Sequence, residues 1–155
     1  MEITIPTALK TLSASGSAAA SITAWRGRSK GDSRSLVGEL KDNLLYLDMV
    51  ATDDIPLGDV IDKLSMTEYK RLSQEGFNFN RLKRAKVANY PSLQGTDLER
   101  LIGKETEDLI VSIYEKINEL RIKFPYVASS KKYRWGVRVN NIRKRMWLLL
   151  KHVSS

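Results

Sequence analysis

A chain of 155 residues, 42% hydrophobic and 28% charged, is long enough to bury a core as one globular unit without metals or disulfides. It has no Cys and a single His, His152, which excludes a disulfide framework, thiolate chemistry and a zinc site built from several Cys and His ligands of one chain. The formal net charge of +8 arises in the second half: residues 1–80 hold nine Lys/Arg against eleven Asp/Glu, residues 81–155 seventeen against seven. That asymmetry points to an anionic partner, nucleic acid ahead of an acidic protein or a membrane surface.

The first segment, TALKTLSASGSAAASITAW, is uncharged from Thr11 to Ala24. It lacks the basic start and strongly apolar centre of a secretory signal, and it is too short and polar for a membrane span. Pro6 suits a first helical turn. Leu9, Leu12, Gly16, Ala19 or Ala20, and Thr23 then fall along one face, where Gly16 and Ala20 would let another helix approach closely. RGRSKGDS, residues 26–33, reads as a positively charged Gly/Ser linker. Residues 1–31 are therefore expected to form a separable Ala/Ser-rich helix ahead of a bundle over 32–155.

The spacing of Leu36, Val37, Leu40, Leu44 and Leu47 predicts an amphipathic helix from about Arg34 to Ala51, with Glu39 and Asp42 facing water. Pro56 disfavours helix in the residue before it, so a short helix is expected from Leu57 to Leu64, with Val60, Ile61 and Leu64 inward. Ser65-Met66-Thr67-Glu68 matches a capping box and opens a further short helix that ends at Gly76. FNFNRLKRAKVANYPSLQG, residues 77–95, is irregular and interleaves Arg81, Lys83 and Arg84 with aromatics. A second capping box, Thr96-Asp97-Leu98-Glu99, predicts the longest helix, running through Gly103 to Phe124 before Pro125. After a cap at Ser129 or Ser130, Trp135, Val139, Ile142, Met146, Leu149 and Val153 repeat at steps of four and three, the pattern of a helix packed along a neighbour. No stretch carries the two-residue alternation of a sheet. The expected fold is all-α: a helical bundle of three long and two short helices, preceded by the N-terminal helix.

From Tyr126 onward there are eight Lys/Arg and no Asp/Glu. Beside the apolar stripe of the last helix, Arg134, Arg138, Asn141, Arg145, Leu148 and His152 form an adjacent row, which Lys131 extends. Lys131, Arg134, Arg138, Asn141 and Arg145, together with Arg81, Lys83 and Arg84, are the expected contacts for nucleic acid or another anion. Arg145 and His152 are separated by six residues, and this spacing resembles the Arg–x4–6–His signature of HEPN ribonucleases. The resemblance implies a helical bundle with a composite site at a dimer interface, where His moves a proton and Arg stabilises charge on the phosphate without metal. Met146 stands where that family often has a polar residue.

Other chemistry is not indicated. Asp53, Asp54, Asp59 and Asp62 do not match a calcium-loop pattern, and no phosphate-binding glycine loop or nucleophile elbow occurs. The leading reading is a non-enzymatic, cytoplasmic helical interaction module without cofactor or metal, whose basic C-terminal helix binds an anionic partner. The alternatives are a metal-independent ribonuclease using Arg145 and His152, and a membrane-associated or self-assembling module acting through the N-terminal helix. Trp147 and Leu148 to Leu150 flanked by cations also suit a lipid interface, but the regular apolar stripe favours a buried helix with Lys and Arg snorkelling at its margins.

Overall fold

The computed structural model describes residues 17–155. Among the described residues the chain is helical without strands, in the order α1 (Ser17–Arg28), α2 (Gly31–Thr52), α3 (Leu57–Val60), α4 (Thr67–Gln74), α5 (Thr106–Val127) and α6 (Trp135–Ser154), joined by short 3-10 turns. The long helices α2, α5 and α6 pack around one core with α1 against α2 and α6. The all-α bundle is as the periodicity predicts. Leu36, Val37, Leu40, Leu44 and Leu47 are buried on α2, and Val60, Ile61 and Leu64 on the corner that follows. Gly76 takes a left-handed φ of 76° just past α4, where a side chain would be strained.

Leu9, Leu12 and Gly16 lie outside the described residues. The described part of the N-terminal segment buries a different face from the expected one: Ala18, Ile22 and Trp25 enter the core, while Ala20 and Thr23 are exposed. Large apolar side chains set the buried face, because they remove more surface from water than Ala or Thr. Only Ser29 and Lys30 separate α1 from α2, so the expected linker over 26–33 is mostly helix. Close approach occurs at Gly38 instead, where Arg26 lies across α2. A Cβ there would stand 3.0 Å from the Arg26 Nε.

Glu39 is not on a solvent face. It is 7% exposed and its carboxylate accepts four hydrogen bonds: from Ser65 Oγ at 2.8 Å, the Glu68 N–H at 2.8 Å, the Tyr69 N–H at 3.1 Å and Tyr114 Oη at 2.9 Å. The expected capping box at Ser65 is therefore replaced. Ser65 Oγ receives only the Thr67 N–H, at 3.3 Å, and the carboxylate from α2 takes the next two donors because an ionised acceptor is the stronger one. Desolvation, followed by the Glu39 charge, drives the Tyr114 phenol well above its ordinary pKa.

The helix expected over 96–124 also differs. Gly103 adopts φ 79°, breaking the run, and α5 starts at Thr106 with a capping box between Glu105 and Asp108. Pro125 lies inside the last turn of α5, which reaches Val127. Leu93, Leu98 and Leu101 are buried within an irregular segment, residues 77–105, that packs on α5 and reaches over the second half of α6 through Asp97 and Tyr90. At the other end, α6 is entered through Arg134, in a left-handed φ of 45°, and Trp135 is half-buried rather than core.

Candidate anion-binding groove

The wrap over residues 77–105 decides the fate of the row on α6. Arg145 is 0% exposed. Its Nε donates to Ser112 Oγ at 3.0 Å, and its Nη1 to Asp97 Oδ2 at 3.2 Å and to the Asn141 carbonyl at 2.9 Å. Its Nη2 has no partner among the described residues. His152 is 1% exposed, with Nε2 2.7 Å from Thr106 Oγ1. Thr106 gives its single hydroxyl proton to the Lys83 carbonyl at 2.7 Å, so Nε2 must carry the imidazole proton and donate it. Burial, then the Lys83 charge, lowers the His152 pKa. Both residues of the nuclease-like pair are thus enclosed in helix packing, and neither offers an atom to a substrate hydroxyl or phosphate at the surface.

Much of the C-terminal charge is similarly engaged. Arg143 is buried and pairs with Asp48 on α2 at 2.7 Å. Lys144 lies 3.9 Å from Asp97, and Lys151 stands over the rings of Tyr90 and Trp147. Trp147 and Leu148 to Leu150 are buried, so they form no lipid-facing surface. No described helix is long and apolar enough to cross a membrane.

Beyond the wrap, the first turns of α6 are uncovered and form a groove against α5. Its volume is about 310 Å³, and its walls carry Lys116, Glu119, Lys132, Tyr133, Arg134, Arg138 and Asn141. Arg138 donates to Glu119 Oε1 at 2.9 Å and to the Tyr133 carbonyl at 2.8 Å, and its guanidinium lies 5.2 Å from the Tyr133 ring centre. Tyr133 stacks on Trp135 at 5.4 Å with 10° between the planes. Glu119, the one carboxylate in the walls, is held below its ordinary pKa by hydrogen bonds from Lys123 and then Arg138. Lys116 is lowered by burial and then by the nearby Arg145 charge. Lys131, Lys132 and Arg134 are exposed and make no salt bridge among the described residues. Tyr126, 87% exposed, and Ile122 stand on the last turns of α5.

The second expected group is elsewhere. Arg81 lies over the Phe77 ring at 5.7 Å, Lys83 donates to the Ser155 carbonyl, and Lys83 and Arg84 line a shallower depression with Lys86 and Glu105. Lys83 meets the last residue of the chain, whereas Arg134 precedes the first turn of α6. The 20 residues of α6 span about 30 Å, so the two basic groups are not one site. The aromatics of the 77–95 stretch mainly anchor the wrap: Phe79 is buried and packs on Tyr69 at 5.5 Å.

Sequence reasoning reached Arg134, Arg138 and Asn141 but missed Lys116, Lys132 and Tyr133. Lys116 sits one helical turn from Ser112 on α5, and its place opposite α6 depends on interhelical register that a single sequence does not reveal. Among the described residues no cluster of His, Asp or Glu is arranged to hold a metal ion. The described residues form an all-α fold with a cationic, aromatic-edged groove at the end of a helix pair. The chain matches no family model, no curated protein and no solved structure, so function has to be argued from the site itself.

Proposed function

We propose that the protein is a non-enzymatic interaction module that binds an anionic partner, nucleic acid, through the groove between α5 and α6. The observation that carries this reading is the composition of the groove. Four cations, Lys116, Lys132, Arg134 and Arg138, face a single carboxylate, Glu119, that is already committed to Lys123 and Arg138. A surface of this kind attracts polyanions. Lys116 supports it further: a cation disfavoured by burial and a neighbouring guanidinium is relieved when an anion arrives. Aromatic rings beside the cations, Tyr133 in the groove and Tyr126 outside it, favour nucleic acid over an acidic protein, since bases stack while phosphates pair.

The test is fluorescence anisotropy of a labelled RNA oligonucleotide with the wild-type protein and with a Lys132→Glu/Arg134→Glu double variant. Both positions are exposed, so the variant should fold normally. The reading requires binding by the wild type and a loss of at least tenfold in the variant. Equal affinity of both proteins would show that the groove is not the contact surface.

A further inference from the structure

The groove is concave, and its walls hold more than charge. Its volume of about 310 Å³ lies at the small end of the roughly 300–1,000 Å³ range of ligand sites. A site of that volume takes a small planar group such as a single base. The planar groups on its walls are the Tyr133 ring, which has Trp135 stacked on it and the Lys123 and Arg138 cations over it, and the Arg138 guanidinium, fixed by its bonds to Glu119 and to the Tyr133 carbonyl. Asn141 lines the same groove. Its carbonyl is engaged by Arg145, while its side-chain amide makes no hydrogen bond among the described residues. A carboxamide with two free donors and a free acceptor, beside a planar ring and a planar cation, is suited to the edge of a nucleobase.

We infer that the groove is a nucleobase pocket for single-stranded nucleic acid: one unpaired base lies against Tyr133 and Arg138, Asn141 meets its polar edge, and Lys116, Lys132 and Arg134 take the flanking phosphates. This rests on the proposed function and narrows it from anionic polymers in general to unpaired strands. Two consequences separate it from simple charge attraction. Single strands bind better than duplex of the same length, although duplex has the higher charge density. Binding also depends on base identity, because the four bases present different donors and acceptors to one amide.

The experiment is anisotropy with the full chain at fixed salt, using fluorescein-labelled 12-nucleotide U, A and C homopolymers, a 12-base-pair duplex, and heparin as a competitor without bases. The expected result is at least tenfold tighter binding of the best homopolymer than of duplex, with at least a threefold spread among homopolymers. Asn141→Ala, checked for unchanged helicity by circular dichroism, should collapse that spread while leaving heparin competition within twofold. If single strands, duplex and heparin compete equally, or the spread survives in Asn141→Ala, the nucleobase pocket is wrong and the broader anionic reading stands. If none of the three binds, both readings fall together.

Discussion

Removing the Glu39 carboxylate should cost more stability than removing most aliphatic side chains of α2. In Glu39→Ala the Glu68 and Tyr69 N–H groups lose their acceptor, and so do Ser65 Oγ and the fully buried Tyr114 hydroxyl. A buried donor left without an acceptor costs about 1–3 kcal/mol. Thr67 to Gln74 form a short helix near the surface, so water reaches some of these donors, and a total of about 4 kcal/mol is expected rather than the full sum. Glu39→Gln keeps the shape but presents an NH₂ to two of the four donors, for a loss of about 2–3 kcal/mol. With a urea slope near 2 kcal/mol/M, the midpoint should fall by about 2 M for the Ala variant and about 1 M for the Gln variant. Tyr114→Phe should couple to Glu39→Ala by about 1 kcal/mol or more in a double-mutant cycle, since the two groups share a bond. A midpoint within about 0.3 M of wild type for Glu39→Ala would refute the view that this carboxylate ties α2, α4 and α5 together.

Deleting residues 1–30 should lower the urea midpoint clearly, because Ala18, Ile22 and Trp25 lie in the shared core; Trp25→Ala alone should cost about 3–5 kcal/mol, and unchanged unfolding of the truncated chain would show that α1 is dispensable. Arg145→Met should lie within about 1 kcal/mol of wild type or be more stable, since its partner Asp97 is 42% exposed and stays hydrated when the pair is lost, while an apolar residue of similar length avoids desolvating a cation whose Nη2 has no partner among the described residues; a loss above about 3 kcal/mol in thermal or urea unfolding would contradict this. The lowered pKa of His152 means the unfolded chain, with an ordinary value near 6.5, binds the proton more readily. Stability should therefore fall as pH drops through and below about 6.5, and His152→Gln should remove most of that slope between pH 7 and 5.5.

The helices were legible because their apolar residues recur at helical spacing, as on α2 and along Val139, Ile142, Met146 and Leu149. That signal reports burial and not the partner that causes it. Leu98 and Leu101 continued the stripe of α5 and are indeed buried, yet Leu98 precedes and Leu101 ends a single 3-10 turn ahead of a glycine in a left-handed conformation. Reading them as helix removed the segment that covers Arg145 and His152, and so left both apparently open beside Arg134 and Arg138. Glu39 was misplaced for a related reason: a carboxylate is buried only when donors from distant elements converge on it, and those donors, 26 to 75 residues away in sequence, leave no local pattern. The cations of the open groove were partly legible from charge alone, whereas Lys116 required the register of α5 against α6.

The claim at the centre of this account is that the open end of the helix pair holds phosphates. The most direct measurement is the salt dependence of binding to a single-stranded RNA oligonucleotide, for the wild type and a Lys132→Gln/Arg134→Gln variant, between 50 and 200 mM salt, with RNA integrity followed by gel in the same samples. If both side chains contact phosphates, the slope of log affinity against log salt should be shallower in the variant by about 0.7 per lost contact, near 1.4 in all. The RNA should remain intact, as expected when the only imidazole is sealed against Thr106. Parallel slopes for the two proteins would contradict the groove as the phosphate site, and RNA cleavage that is lost in His152→Ala would replace the binding module with an enzyme.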